Sequence, residues 1–335
     1  MLNIGVIGCG AIGRDHIRRL TDLVPGCQVV ACADYFEEAA IKVASQYDGV
    51  TAYKTGEELI AAPEVQAVVI TSSDPSHAGY VLEALKAGKF IFCEKPLAQN
   101  AEDCEKIIAA ETAHGKRLLQ VGFMRRYDRG YAEMKRIIDS GELGAPLMIH
   151  ACHRNVSQPD GFQTEMGVSN VAIHELDICR WLLGDEYESG QVLKVRQSAC
   201  STKGYDNPQI VLLETKSGAR IDVEVQVADA YGYDIQCQLV CEKCMVNLPD
   251  PYAVVKRANA SGSFPILTDW KDRFIEAYDI ELTHWVKTLE EKGAPDGPSA
   301  WDGYAACVAA DALNRSRGTG KLLPIETMEK PELYK

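Results

Sequence analysis

No run of apolar residues in this 335-residue chain approaches the roughly 20 that a membrane-spanning helix requires. Positive charge is short as well: 35 Lys and Arg stand against 48 Asp and Glu, a formal charge of −13. Such a balance repels phosphate backbones and anionic lipid, which argues against nucleic acid or a membrane as partner. The opening MLNIGVIGCG lacks the basic region of a signal peptide, so a cytoplasmic location is expected. Metal-ligand spacing is also missing. Most of the 12 cysteines, among them Cys32, Cys93, Cys179 and Cys307, stand in apolar strand or helix patterns, where a reduced thiol packs as a small hydrophobe. Cys241 and Cys244 form a C-x-x-C with Cys237 nearby, but a zinc site needs a fourth ligand at recognisable spacing and a redox dithiol needs a helix N-terminus. The segment reads instead as a hairpin with Glu242-Lys243 at its tip, and no metal is expected.

With 46% hydrophobic and 25% charged residues the chain has a globular composition. Its length suits two domains. NIGVIGCGAIGRDHIRRL is an apolar strand running into Gly8-x-Gly10-x-x-Gly13 and then a helix with Ile12, Ile17 and Leu20 toward a sheet. In a dinucleotide site these glycines serve a tight turn, close approach of backbone to pyrophosphate, and packing of helix on strand. The motif gains weight from a second strand, QVVACAD, which ends in Asp34, 21 residues after Gly13. There a carboxylate accepts hydrogen bonds from an adenosine ribose. Its charge repels a 2′-phosphate, and Tyr35 and Phe36 offer no arginine in compensation, so NAD is expected over NADP. The plainer alternative is a strand-end Asp that caps a helix.

Strands at Val65–Thr71, Phe90–Cys93 and Leu118–Val121 alternate with helices after Ser76 and near Ala101–His114. This predicts an α/β Rossmann domain, a doubly wound parallel sheet, over residues 1–122. Ligands of such sheets lie beyond the carboxyl ends of the strands. The candidate cofactor residues are therefore Gly8, Gly10, Ala11, Ile12, Gly13, Asp34, Tyr35, Thr71, Ser72, Ser73, His77, Glu94 and Lys95.

Phe92-Cys93-Glu94-Lys95-Pro96, in a chain opening with GxGxxG, resembles the glucose-fructose oxidoreductase / inositol dehydrogenase / MocA family of sugar and polyol dehydrogenases. The likeness extends over nearly the whole chain through QVGFMRRYD (120–128), GAPLMIHACHRN (144–155), PQIVLLETKSG (208–218), YGYDIQC (231–237) and SAWDGY (299–304), which are similar to the family's inositol-oxidising members. It implies that residues 123–335 form a C-terminal α+β domain with a large, mostly antiparallel open sheet that binds substrate and joins subunits into homodimers or homotetramers. Independently, Gln209–Thr215 and Arg220–Val227 read as strands paired around Lys216-Ser217-Gly218-Ala219.

Oxidising a secondary alcohol needs a hydride acceptor, a base, and a group that steadies the developing alkoxide. In GVSNVAIHELDICRWLLG, Ala172, Leu176, Cys179 and Leu183 mark an apolar helix stripe, with Asn170, His174 and Asp177 on the other side. Ser169 could cap this helix and Gly184 end it, placing His174 in the second turn. On its own residues His174 is equally a helical histidine satisfied by a neighbouring carboxylate or carbonyl. The resemblance implies that His174 is the base and that Lys95, otherwise a surface lysine, bonds the reacting oxygen. It further implies Arg125, His153, Asn155, Asp177 and Tyr233 as contacts to a cyclic polyol or sugar. Asn170 departs from the family, whose members carry aspartate there to orient the imidazole. An amide can accept the ring's hydrogen bond but supplies no charge. The expectation is a lower proton affinity at His174, and room for scyllo-inositol, another isomer or an aldose as substrate. A regulator that kept the fold and lost catalysis is the reading from another class.

Overall fold

Short, mostly apolar runs form the parallel strands of the first unit, because a strand covered on both faces leaves little room for polar alternation. In the computed structural model, which describes residues 1–158, 161–199, 201, 205–251 and 254–335, they begin with β1 (Leu2–Ile7) and continue through helix α1 (Ala11–Asp22), β2 (Cys27–Ala33), α2 (Glu37–Ala44), β3 (Thr51–Tyr53) and α3 (Gly56–Ala61). Then come β4 (Ala67–Ile70), α4 (His77–Lys86), β5 (Phe90–Glu94), α5 (Ala101–His114) and β6 (Leu119–Gly122). The strands pair in parallel in the order β3-β2-β1-β4-β5-β6. The order reverses between β1 and β4, so the ligand-binding crevice of this fold opens at their carboxyl ends. Helix α5 runs over the expected span because Asn100 caps it, its side chain accepting from the Asp103 amide, and Gly115 closes it at φ +76°.

The single boundary expected after residue 122 does not describe how the chain packs. The first compact unit comprises residues 1–123, 278–307 and 327–335, and the second residues 124–277 and 308–326. The cause is apolar: helix α8 (Trp270–Lys292) sends Leu282, Trp285, Val286 and Leu289 into the core made by Ile4, Val6, Ile17, Leu20 and Phe92. Near the start of helix α9 (Ala300–Ser316), Gly303 fits closely against Leu97, where a Cβ would come within 2.8 Å of the leucine side chain.

In the second unit a 3-10 turn (Met124–Tyr127) leads into α6 (Arg129–Asp139) and β7 (Pro146–Arg154), followed by a π-helical turn (Gly167–Val171) and α7 (Ile173–Leu183). Strands β8 (Tyr187–Lys194), β9 (Gln209–Thr215), β10 (Arg220–Gln226), β11 (Asp234–Cys241) and β12 (Met245–Asn247) come next, then a separate hairpin of β13 (Lys256–Ala258) and β14 (Ser261–Ser263), and finally β15 (Leu323–Pro324). The sheet order is β12-β11-β7-β10-β9-β8-β15, antiparallel except for the β7/β10 pair. Alternating sequence gives alternating burial: Val211, Leu213, Ile221, Val223 and Val225 face a core, while Glu214, Asp222 and Glu224 are half-exposed. The β9/β10 turn has Gly218 at φ +92°, and the β11/β12 hairpin places Glu242-Lys243 at its tip as expected, closed by the Cys241 amide donating to the Cys244 carbonyl at 2.8 Å. Among the described residues all cysteines are free, no cluster of three or more His, Cys, Asp or Glu is placed to hold a metal ion, and no helix is long and apolar enough to cross a membrane.

Candidate active site

The candidate dinucleotide site of the first unit is made largely of backbone. Gly8 turns at φ +102°, and a Cβ there would come within 2.5 Å of the Ser72 amide nitrogen. A Cβ on Gly13 would lie 1.9 Å from the Gly8 carbonyl oxygen, whereas Gly10 faces open space. Helix α1 starts after Gly10 with no side chain capping its amides and no acidic residue in its first turn. Free amide donors at a helix N-terminus beside an open glycine fit a pyrophosphate. Asp34 follows β2 half-buried, its Oδ2 accepting from the Cys9 amide at 2.6 Å and its Oδ1 from the Phe36 amide at 2.9 Å. Each oxygen keeps a further lone pair for a ribose hydroxyl. The residues present therefore fit an adenine dinucleotide with an unphosphorylated ribose.

Several candidates turn out to shape this site rather than face outward from it. The Thr71 hydroxyl donates to the carbonyls of Gly8 (2.8 Å) and Ile7 (3.1 Å), locking the glycine turn. His77 is buried, with Nδ1 2.8 Å from the Pro96 carbonyl and Nε2 3.1 Å from that of Ser72, and Ser72 bonds Ser76 at 2.6 Å. Ala11, Ser73 and Tyr35 are exposed, while Ile12 is only half-buried rather than turned fully to the sheet. Lys95 is half-buried at the end of β5 and joined to Pro96 by a cis bond.

The candidate residues of the second unit are buried side chains. Glu175, 1% exposed, forms an ion pair with Arg125, also 1% exposed, and its Oε2 lies 2.9 Å from His153 Nδ1. Burial alone would raise the Glu175 carboxyl, but the Arg125 charge and the His153 contact outweigh it and hold the group at about 2. Arg125 Nη2 also lies 3.2 Å from His153 Nδ1. One nitrogen cannot accept from the guanidinium and donate to the carboxylate at once, and the closer ionised carboxylate favours Nδ1–H donating to Glu175. That leaves His153 Nε2 as the ring's other polar atom. The His153 ring stands 6.1 Å from that of His174 and edge-on to Tyr233 at 6.0 Å. Burial pushes the Tyr233 phenol up to about 12, so it keeps its proton at neutral pH. Phe274, at a break in α8 with φ −121° and ψ 20°, closes the cluster under Arg125 and Tyr233.

His174 is 8% exposed and sits as the second residue of α7, not in its second turn. Ser169 does not cap this helix. Its hydroxyl donates back to the Glu165 carbonyl at 3.2 Å from within the π-helical turn, and that turn is closed by the Ala172 amide bonding the Gly167 carbonyl five residues back at 3.0 Å. Asn170 lies half-buried in this widened turn, a feature that recurs at functional sites. Gly184 ends α7 at φ +61° as expected. The helix is not polar on one side and apolar on the other: His174, Glu175 and Asp177 are as buried as Leu176 and Cys179. Asp177 is held by Arg126, whose Nε donates to Oδ2 at 2.9 Å. Asn155 is half-buried just after β7, its amide bonding the Gln226 carbonyl. Glu175 and Arg126 escape sequence reading, the first because a carboxylate in a helix reads as solvated surface, the second because its neighbour Arg125 carries the motif.

The chain matches the oxidoreductase family with NAD-binding Rossmann fold over residues 2–123 and the GFO/IDH/MocA C-terminal domain over residues 131–247. It is 52% identical to inositol 2-dehydrogenase of Burkholderia cenocepacia over 336 aligned positions, covering 100% of this chain and 99% of that protein. It is 49% identical to inositol 2-dehydrogenase of Serratia proteamaculans, covering 99% of each chain. Its fold superposes on the crystal structure of myo-inositol dehydrogenase from Lactobacillus casei, in complex with NAD(H) and myo-inositol, with a TM-score of 0.96, 38% identity and complete coverage of both chains. A Rossmann unit with a glycine turn and ribose carboxylate, followed by a mixed-sheet unit, defines an NAD-dependent oxidoreductase. The chain belongs to the GFO/IDH/MocA family of these enzymes.

Proposed function

We propose that the chain oxidises a secondary hydroxyl of a cyclic polyol, myo-inositol to 2-keto-myo-inositol, with His174 as base and Lys95 steadying the alkoxide, as a homodimer or homotetramer joined through the outer face of the second sheet. The observation that carries this reading is the buried cluster of Arg125, Glu175, His153, His174 and Tyr233, a concentration of polar side chains suited to a hydroxyl-rich ligand. The 52% identity to an inositol 2-dehydrogenase and the likeness to an inositol-bound structure support it.

When bound, NAD supplies the carbon that accepts the hydride. His174 removes the hydroxyl proton as the carbon–oxygen double bond forms, and the Lys95 ammonium stabilises charge on that oxygen. Arg125, His153, Asn155, Asp177 and Tyr233 hold the remaining hydroxyls, and a wrong stereoisomer leaves one of these buried groups unpaired. The test is turnover of a panel of inositols and aldoses with NAD and NADP, followed by nicotinamide absorbance. The expected result is fastest turnover of myo-inositol with NAD. Preference for scyllo-inositol or an aldose would move the substrate, and NADH binding without turnover of any member would make the chain a non-catalytic sensor.

A further inference from the structure

Beneath the Lys95 turn lies a buried pair: His16, which the chemistry above leaves unused, and Glu94, expected among the cofactor residues but buried against the histidine. His16 projects from α1, the helix whose first amides fit the pyrophosphate, and is fully buried between the rings of Phe92 (5.8 Å, edge-on) and Tyr278 (5.6 Å). Its Nε2 lies 2.8 Å from Oε1 of Glu94, which is 6% exposed and ends β5. The other oxygen of Glu94 accepts the backbone N–H of Lys95 at 3.2 Å. Gly122, at the end of the neighbouring strand β6, leaves room for this carboxylate: a Cβ there would stand 3.1 Å from its carboxyl carbon. His16 Nδ1 is buried without a hydrogen-bond partner. A bare buried lone pair costs less than a buried, unpaired N–H, so the proton sits on Nε2 and is donated to Glu94.

Stability is a poor explanation for this pair. A buried carboxylate–imidazole contact gains little over an apolar pair of the same volume, because desolvating its polar atoms offsets the attraction. What the contact does provide is a rigid path from α1 to the peptide that carries Lys95. We propose that His16 is a positioning residue for the oxidoreduction: through Glu94 it fixes the backbone from which the Lys95 side chain projects, so that the pyrophosphate helix and the lysine turn hold one register. The inference rests on Lys95 acting at the reacting oxygen, and Lys95→Ala tests that assumption separately.

The experiment compares His16→Leu, His16→Gln, Glu94→Gln and the His16→Leu/Glu94→Gln double variant in the full-length enzyme. It measures kcat, KM, NADH affinity by fluorescence and Tm. Because a misplacement of about 1 Å at a reacting group costs on the order of 10²-fold in rate, His16→Leu should lose about that much kcat, with NADH affinity and Tm close to wild type. His16→Gln, whose amide can still donate to Glu94, should recover most of the loss. The double variant should be little worse than Glu94→Gln alone, since the two residues act as a unit. Full kcat in His16→Leu would overturn the proposal, as would kcat and NADH affinity falling together with Tm in both His16 variants. If His16→Leu does not fold, Glu94→Gln decides: full kcat in the folded Glu94→Gln variant would overturn it. A dead Lys95→Ala beside a fully active His16→Leu would reject positioning and leave the lysine's role intact, whereas an active Lys95→Ala would remove the premise itself.

Discussion

The candidate residues of the two units are built from different materials. At the carboxyl ends of β1, β2 and β4 the ligand-facing surface is peptide: the turn at Gly8, the amides after Gly10, and one carboxylate, Asp34, that is itself bonded to backbone amides. Around α7 the candidate groups are side chains: Arg125, Glu175 and His153 joined to one another, with His174 and Tyr233 against them. A backbone site recognises what every dinucleotide shares and tolerates changes in side chains. A side-chain network selects one arrangement of hydroxyls, and each member depends on the others. Substitutions should therefore separate cleanly into those that weaken the cofactor and those that stop or redirect the chemistry.

The largest separation is expected at the reacting groups. His174→Ala and Lys95→Ala should each lower kcat by about 10²–10⁴-fold, the usual range for a positioned proton acceptor or its electrostatic partner, while NADH titration shows nearly unchanged affinity for His174→Ala. Near wild-type turnover in either folded variant would remove that residue from the mechanism. Loss of NADH binding in His174→Ala would break the contrast between the two units.

Glu175 gives the next effect, and it reads on stability. Replacing it with Gln leaves the Arg125 charge buried without its partner, a change that costs about 3–5 kcal/mol in comparable settings. The pH dependence carries the sign. A carboxyl lowered to about 2 in the fold, against about 4.3 in an unfolded chain, contributes stability that is present above about pH 4.3 and is lost as pH falls toward about 2. Wild type should lose Tm through that acid window, while Glu175→Gln starts lower and changes less there. Parallel acid profiles would show that Glu175 is not the group titrating.

That contrast of materials also explains how far the sequence could be read. A backbone site announces itself, because only glycine tolerates φ +102° at residue 8 or the 1.9 Å approach at residue 13, so spacing alone locates the turn. Five of the six parallel strands were legible too, as short, mostly apolar runs ended by Gly, Asp, Ser or Glu, whereas β3 is three residues at the sheet edge and only partly buried. The side-chain network left no such trace. Arg125, His153 and Glu175 come from three separate elements, and nothing local says that a helical glutamate is 1% exposed. The capping reading at Ser169 failed because a π-helical turn, an irregularity without a side-chain pattern, carries the chain into α7. The expected boundary after residue 122 falls one residue from the end of the first unit's opening stretch, but the chain's return was missed, because the four apolar residues of α8 that complete the first core begin at Leu282, 160 positions after Gly122.

The smallest expected effect belongs to Asn170, which stands within the second unit yet one turn outside its ion-pair network. A carboxylate beside His174 would favour the imidazolium that forms when the hydroxyl proton is taken up, whereas an amide offers a dipole only. In this enzyme the carboxylate nearest in sequence to His174 is Glu175, and its charge is already divided between Arg125 and His153. Asn170→Asp should therefore raise the plateau of kcat and move its acid limb to higher pH, since a base that holds its proton more tightly becomes available later as pH rises. Full pH–rate profiles of the two enzymes on the same polyol check both movements. Superimposable profiles would place Asn170 outside the proton's path. A raised plateau without a shifted limb would mean that the aspartate orients the ring rather than charging it.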